Sequence, residues 1–409
     1  VKISCMRISK TRISRISLYL VSFIMLCSMK PWFVWNSPII LYILVVLFIL
    51  TRLIFVRSIN KKYCFLLILC FIVYTVVDIP HINDVKRFVE YIFRHLICVS
   101  LVILFLSEER ASLIKIFINL YAGVLLLSLI IYFIVILGVP VYSYEVPISD
   151  PYYSWGFRNC LFLILPMPSL PYYRFQSIFL EPGHVGMISS LILYTIRYNI
   201  KSWQGIIILL SSLLSMSLAS YMLLFLGMII YKLSLGNFFK TITLFLMIIM
   251  TCTLIYSFLP NSYFSQAILL RLEYDKDKGF IGNNRTTEGF EYYYDNKFYK
   301  TESVLWGIGS DLGDISDKGG NSSYKVFIVQ HGILGLVLLA LFFVTIALYS
   351  KSPFIKGLLL LYAASFWQRP YALWEVELFL FISIALLVKQ NETYNLCAKY
   401  PIATFCVNS

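Results

Sequence analysis

The stretch that decides the fold class is SLIKIFINLYAGVLLLSLIIYFIVILG, residues 112–138, whose single charged side chain, Lys115, lies near one end. The hydrocarbon core of a bilayer is about 30 Å thick, and a helix needs roughly 20 consecutive apolar residues to cross it. The stretch is long and apolar enough for one crossing. It therefore predicts a membrane-spanning helix.

The composition of the whole chain extends this prediction. Hydrophobic residues make up 59% of the 409 residues and charged residues only 13%, more apolar surface than one soluble core would bury. Backbone polar groups in lipid must be satisfied internally, which leaves helices or closed barrels, and no run of the chain shows the alternation of a β-barrel. We therefore expect an all-α integral membrane protein with one polytopic domain over residues 1–409.

Apolar runs between charged, proline or glycine breaks predict about twelve transmembrane helices. The run at about 203–231 has a small, polar centre and is expected to form two short crossings. No small-residue cleavage site follows the basic N-terminal segment, so we expect the first helix to be retained. The remaining helices are predicted at about 16–29, 37–56, 63–79, 88–106, 112–138, 182–198, 240–258, 324–348, 354–367 and 371–388.

The distribution of basic residues predicts the orientation. With the N-terminus inside, the cytoplasmic segments hold 19 of the 34 Lys and Arg residues but 3 of the 21 acidic residues, as the positive-inside rule requires. Both termini are then cytoplasmic. The net charge of +13 faces lipid headgroups and gives no argument for binding nucleic acid.

Two long segments, 139–181 and 259–323, fall on the outer side in this orientation. Short loops are enough to connect helices, and loops on a rigid scaffold are where binding and catalysis usually reside. We therefore expect the functional site in these two segments.

The first outer segment ends in Arg174, Glu181, Pro182 and His184. Proline suits the first position of a helix, and the free N–H groups of a helix N-terminus attract phosphate. Arg174 could hold the same phosphate through two parallel hydrogen bonds. The alternative is structural: Arg174 would be a membrane-interface anchor paired with Glu181, and His184 would be a packing residue.

The second outer segment carries aromatic residues beside polar ones, including Tyr292, Tyr293 and Trp306. Such faces suit the apolar sides of sugar rings. The alternative is an amphipathic loop helix that packs its tyrosines on the membrane surface.

The sequence lacks the motifs that are typical of several kinds of enzyme chemistry. The pair Asp275 and Asp277 resembles a metal-binding Asp-x-Asp, but the orientation puts it on the wrong side for a nucleotide sugar, so we predict no metal and no cofactor. There is no Walker phosphate loop, no Gly-x-Ser-x-Gly and no His-Glu-x-x-His. The nine cysteines are scattered and show no zinc-like spacing.

The order of the motifs between residues 170 and 340 resembles the O-antigen and exopolysaccharide polymerase family of bacteria, which shares an architecture with the O-antigen ligases. The motifs are Arg-Phe-x-Ser-x-Phe-x-Glu-Pro-Gly-His from Arg174, a serine-rich Leu214–Tyr221, Arg285, Leu-x-Gly-x-Gly at Leu305–Gly309, and Asn-Ser-x-Tyr followed by Gln-x-Gly-Ile-x-Gly-Leu at Asn321–Leu336. The resemblance implies a GT-C-like membrane fold with two long periplasmic loops.

The resemblance also implies an activity and its location. Members of this family join oligosaccharide repeat units carried on undecaprenyl diphosphate, at the periplasmic face of the bacterial inner membrane. Donor and acceptor are then both lipid-linked oligosaccharides, and a chain-length regulator is a candidate partner besides the membrane lipids. The enzyme would be a metal-independent glycosyltransferase.

Residue roles follow from this implied reaction. Arg174 and Arg285 would bind the diphosphate and Glu181 would accept the proton of the attacking hydroxyl. The other candidate contacts with phosphates or sugars are Arg158, His184, Arg271, Tyr292, Tyr293, Trp306 and Asn321.

Two other functions remain open at this level. A ligase would transfer finished polymer to lipid A–core, but ligases typically place a histidine where Gly320 precedes Asn321. A flippase for the same lipid-linked sugars would not be an enzyme, and two long outer loops are unusual for it.

Overall fold

The structure is a computed structural model. It describes residues 2–37, 39–55, 63–78, 85–148, 156–167, 174–234, 287–309, 323–369 and 373–394, together with isolated positions between 239 and 280.

Thirteen α-helices make up most of the described residues. They are α1 (Lys2–Ser28), α2 (Ile39–Phe55), α3 (Cys64–Asp78), α4 (Val85–Ile103), α5 (Ser107–Ile136), α6 (Pro182–Thr195), α7 (Trp203–Leu214), α8 (Leu218–Ser234), α9 (Glu288–Asn296), α10 (Ser303–Trp306), α11 (Tyr324–Ser350), α12 (Pro353–Gln368) and α13 (Glu375–Tyr394).

Eleven of the twelve predicted helical segments coincide with helices α1–α8 and α11–α13. The run 203–231 is divided as expected, and the break contains Met216 with a left-handed φ of 45°. The predicted helix at 240–258 lies outside the described residues apart from isolated positions. The apolar runs therefore predicted the helices well.

Two of these helices are long and apolar enough to cross a membrane. They are Glu109–Ile136 and Tyr324–Ser350, with mean hydropathies of 2.4 and 2.6. Large apolar side chains also face outward along α2 and α3, among them Ile43, Leu50, Phe65 and Ile68. Exposed apolar surface on this scale marks contact with another apolar phase or partner.

The all-α prediction missed a small antiparallel sheet in the segment 139–181. Strands β1 (Tyr144–Val146), β2 (Phe157–Cys160) and β3 (Leu163–Pro166) pair in that order. Strands of three or four residues contain too few alternations to give a period-two signal. A further short pair, β4 (Tyr274–Asp275) and β5 (Gly279–Phe280), lies in the second long segment.

Side-chain contacts define two opposite ends of the helical bundle. At the first end, the Arg52 guanidinium of α2 bonds the Glu109 carboxylate of α5 and the Ser17 hydroxyl of α1. At the other end, the Ser28 carbonyl of α1 accepts from Trp374 Nε1 at 2.7 Å. The Ser128 hydroxyl of α5 lies at this second end, 2.6 Å from the hydroxyl of Ser177.

Helix α6 lies at the centre of the bundle. Every residue from Gly183 to Thr195 is buried, and the helix packs against α7, α8 and α12. At Gly186 a Cβ would lie 2.5 Å from the Cβ of Ser220, so glycine is what permits the close approach of α6 and α8.

Two glycines let the backbone of the second long segment contact the backbone of α11. Gly307 lies in the segment, and Gly332 lies within α11, where it interrupts the helical φ/ψ angles. Gly307 (φ 81°, ψ 175°) and Gly332 (φ 71°, ψ 174°) adopt a backbone conformation that is essentially restricted to glycine. Ile308 N donates to Val329 O at 2.8 Å, and a Cβ on Gly332 would lie 2.2 Å from the carbonyl oxygen of Leu305. The motifs Leu305–Gly309 and Gln330–Leu336 are therefore in direct backbone contact.

We expect Gly332→Ala to loosen this contact. The strained backbone alone costs about 1–3 kcal/mol, and the added methyl group collides with backbone atoms that cannot rotate away. Limited proteolysis should cut the segment 287–309 faster in the variant. Gly123→Ala is the matched control because no atom lies within 4 Å of the Cβ position there. Equal cutting rates in both variants would contradict the contact.

We expect Glu109→Gln to destabilise the first end of the bundle. The Arg52 side chain is fully buried, so loss of its carboxylate partner leaves a buried charge unbalanced and costs about 3 kcal/mol or more. The thermal midpoint of the purified protein should fall. Lys115→Gln, an exposed change on the same helix, should leave the midpoint nearly unchanged. A midpoint for Glu109→Gln equal to that of Lys115→Gln would rule out a structural role for the pair.

Candidate functional site

The segment from Arg174 to Glu181 runs across the second end of the bundle, where three separate parts of the chain hold its backbone. The hydrogen bonds are Phe175 N to Leu214 O (3.0 Å), Ile164 N to Ser177 O (2.8 Å) and Trp32 N to Ile178 O (3.0 Å). Ser177 has a left-handed φ of 56°, which turns the chain between the first two of these contacts. The segment is therefore fixed before it enters α6.

Helix α6 begins as the sequence predicted. Glu181 is its N-cap with extended backbone (φ −137°, ψ 144°), and Pro182 follows as the first helical residue. Pro182 has no N–H and His184 N donates to Glu181 O at 3.1 Å, so the N–H of Gly183 is the one at the start of α6 that points toward the second end of the bundle, where the partial positive charge of the helix dipole also lies. The predicted placement of Pro182 is confirmed.

Glu181 forms an ion pair with Arg369. Arg369 Nη1 lies 2.6 Å from Glu181 Oε2, and the two side chains are only 10% and 21% exposed. Arg369 follows α12 directly, with an extended φ of −142°, and its guanidinium lies over the first turn of α6. A Cβ on Gly183 would be 3.0 Å from Arg369 Nη2, so the absence of a side chain there lets the guanidinium approach the helix.

His184 lies inside the same cluster and is buried. Its ring centroid is 5.0 Å from that of Trp374, which precedes α13 and donates to the Ser28 carbonyl of α1. His184 therefore contacts the elements that close this end of the bundle. These contacts are compatible with both roles considered for His184, a packing residue and a residue that binds substrate.

Arg174 takes a different position from Arg369. Its Nε donates to Ser215 O at 3.2 Å, in the break between α7 and α8, and its side chain is half-buried. The guanidinium that lies on the first turn of α6 is that of Arg369, although the sequence predicted Arg174 in this position.

The serine-rich break packs α6 against α7 and α8. The hydroxyls of Ser212 and Ser220 are 2.6 Å apart, and Ser190 Oγ donates to Gly186 O at 2.8 Å. These serines are buried and bond one another or nearby carbonyls. Their role in the described structure is packing.

The aromatic residues of the second segment divide into two groups. Phe290, Tyr294 and Phe298 are buried against the first turns of α11, and Lys325 of α11 forms an ion pair with Glu291. Burial raises the pKa of Tyr294 from its ordinary value to about 12. This group forms a short loop helix, but it packs its aromatic side chains on α11, whereas the expected amphipathic helix would pack its tyrosines on the membrane surface.

The second group faces outward. Tyr292 is 63% exposed and Trp306 is 61% exposed, while Tyr293 is partly buried. Tyr292 and Trp306 therefore remain available for contact with a sugar ring, whereas Tyr293 packs beside the buried cluster.

The remaining predicted residues are placed only in part. Arg158 is exposed on β2, opposite Glu145 of β1. Arg271, Arg285 and Asn321 lie outside the described residues. The structure brings Arg174, Glu181 and His184 to one end of the bundle.

The sequence motifs did not indicate a role for Arg369 or Trp374. The signal for Arg369 was a charged residue in the short break between two apolar helices, on the side predicted to be outer. Charges at such positions are costly and usually functional or paired. Only the folded chain shows that the partner is Glu181.

Comparisons with known proteins assign neither a family nor a function to the chain. No protein-family model, curated protein or solved structure matches the chain at a significant level. Within the described residues, no group of three or more His, Cys, Asp and Glu side chains could hold a metal ion. The functional conclusion therefore rests on the site and on the sequence motifs.

A double-mutant cycle should identify the partner of Glu181. We expect Glu181→Gln and Arg369→Gln to be coupled by about 1–3 kcal/mol in the free energy of unfolding, because each charge is partly buried against the other. Glu181→Gln combined with Arg174→Gln should show weaker coupling. Thermal or denaturant unfolding of the four variants in each cycle gives both values. Stronger coupling with Arg174 would contradict the observed pairing.

Proposed function

We propose that the protein is a polytopic inner-membrane glycosyltransferase that polymerises oligosaccharide repeat units carried on undecaprenyl diphosphate. The active site would lie at the periplasmic end of the bundle, and both termini would lie in the cytoplasm. The product would be an O-antigen or a related surface polysaccharide.

Four features of the bundle support a chain with about twelve crossings. Eleven of the expected segments are helical, two of them are long and apolar enough to cross alone, and large apolar side chains face outward along α2 and α3. The contacts at the two ends of the bundle also agree with helices that cross the membrane in alternating directions, because segments predicted to lie on the same side are in contact. Ser17, Arg52 and Glu109 meet at the expected cytoplasmic end, and Ser28 and Trp374 meet at the other.

The short central helices favour a recessed site. Helix α6 has 14 residues and would rise about 21 Å, less than the roughly 30 Å of a bilayer core. Helix α7, with 12 residues, is shorter still. In a bilayer, a start of α6 below the outer surface would leave Glu181 and Arg369 at the bottom of a depression.

The observation that carries the proposal is the contact between motifs that are distant in sequence. The Arg174–Gly186 motif meets the serine-rich break through Phe175 N, Arg174 Nε and Gly186. The motif Leu305–Gly309 meets Gln330–Leu336 through the paired glycines. The motif order that resembles the polymerase family therefore corresponds to two sets of physical contacts.

The chemistry follows from the charges. A hydroxyl of the acceptor sugar would attack the anomeric carbon of the donor, the bond from that carbon to the diphosphate oxygen would break, and undecaprenyl diphosphate would leave with its bonding electrons. Negative charge grows on the leaving group, and fixed guanidinium groups stabilise it. Arg174 and Arg285 would bind that diphosphate, and Glu181 would take the hydroxyl proton.

The sugar would contact residues of both outer segments. Tyr292 and Trp306 present exposed aromatic faces for sugar rings, and Arg158 is an exposed cation for a phosphate or an acidic sugar. A chain-length regulator remains a proposed partner, and no metal or cofactor enters the reaction.

We expect Arg174→Lys to abolish polymer formation. Lysine keeps the charge but cannot form two parallel hydrogen bonds to a phosphate. Purified protein in detergent would be incubated with a lipid-linked repeat unit without metal, and the products separated on a gel. The wild type should give a ladder and the variant only the single unit.

The matched control is Arg197→Lys. Arg197 follows α6 at the opposite end of the helix, where its guanidinium stacks on Phe354, 5.6 Å from the ring centroid. This variant should give a normal ladder. A normal ladder from Arg174→Lys would remove the diphosphate role. Absence of a ladder from the wild type, with finished polymer accumulating on the lipid in a deletion strain, would indicate a ligase instead.

A further inference from the structure

The Glu181–Arg369 pair places a carboxylate where a phosphate of the proposed substrate would bind. The Arg369 guanidinium covers the first turn of α6, with Nη1 on Glu181 Oε2 and Nη2 next to Gly183. Carboxylate and phosphate oxygens both accept charge-assisted hydrogen bonds from arginine. The two anions would therefore compete for one guanidinium.

The charges around the Glu181–Arg369 pair favour the binding of an additional anion, such as a phosphate of the substrate. The groups whose charges act on neighbouring His184 are Glu181, Arg369 and Lys30, which are two cations and one carboxylate. Lys30 is exposed, and the N-terminus of α6 adds partial positive charge. Among the described groups that act on His184, two cations and one helix N-terminus therefore face a single carboxylate.

We propose that Glu181 is the resting counter-ion of Arg369 and that a phosphate of the lipid diphosphate displaces it. This inference rests on the proposed function and adds Arg369 to the residues that touch the substrate. The Glu181 side chain is 21% exposed and reaches solvent, whereas that of Arg369 is 10% exposed, so the carboxylate is the more accessible of the two partners.

The exchange links binding of the donor to proton transfer. A phosphate oxygen takes the place of Glu181 Oε2 at Nη1, and the released carboxylate accepts the proton of the attacking hydroxyl. The protonated Glu181 is neutral and no longer competes for Arg369. After undecaprenyl diphosphate leaves, Glu181 returns its proton to water and pairs with Arg369 again.

The test uses inorganic pyrophosphate and the full-length protein in detergent. We expect Glu181→Gln to bind pyrophosphate on the order of tenfold more tightly than the wild type, since removing one opposite charge beside a cation changes its interactions by about one logarithmic unit or more. Arg369→Gln should lose binding. Calorimetry measures the affinities, and the rise of the thermal midpoint with pyrophosphate checks them even where a variant is less stable.

Two controls separate a charge exchange from a general effect. Glu375→Gln removes a carboxylate from another ion pair, Arg94–Glu375 (3.4 Å), and should leave pyrophosphate affinity unchanged. The double variant Glu181→Gln/Arg369→Gln removes both charges together, which avoids an unbalanced buried charge, and should still fail to bind.

Unchanged or weaker pyrophosphate binding in Glu181→Gln would overturn the exchange, and so would binding that survives in Arg369→Gln. The failure of the proposed function has a different signature. Pyrophosphate affinities that follow the expected order, with no ladder from a lipid-linked repeat unit, would retain the anion site and reject the polymerase. A ladder with unchanged affinities would retain the polymerase and reject the exchange.

Discussion

A charge that is removed from water among apolar helices must be paired, and this constraint fixes the second end of the bundle. Glu181 and Arg369 are 188 positions apart in sequence, and their contact joins the start of α6 to the end of α12. Removing either partner would leave the other charge largely buried without its counter-ion, which would destabilise this end of the bundle. The pair therefore holds the central helix in register with the helices around it.

The rest of the site depends on that register. Gly183 and Gly186 let the first two turns of α6 approach Arg369 on one side and Ser220 on the other. The segment before α6 is fixed by backbone bonds to the end of α7, to β3 and to the turn after α1. In the proposed polymerase, this framework would hold the cations and the N-terminus of α6 in place before the diphosphate arrives, which is the electrostatic preorganisation that a phosphate leaving group needs.

The parts of this structure that the sequence predicted are those with a local signal. Apolar runs predicted the helices, the small polar residues Ser215, Ser217 and Ser220 predicted the break between α7 and α8, and Pro182 predicted the start of α6. The strands at 144–166 are too short to show alternation. The partner of Glu181 could not be predicted, because an ion pair across 188 positions depends on how the helices pack.

The paired glycines show the same limit. Gly307 and Gly332 could each be recognised as part of a short motif, but the sequence did not show that the two backbones touch. Local sequence patterns identify the glycines that belong to short motifs. Their contacts depend on the tertiary fold.

An experimental density map of the protein with bound pyrophosphate tests the central claim most directly. The expected result is pyrophosphate density against the guanidinium of Arg369 at the first turn of α6, with the Glu181 carboxylate rotated away. Glu181 still paired with Arg369 and pyrophosphate bound at the opposite end of the bundle, near Arg197, would contradict it.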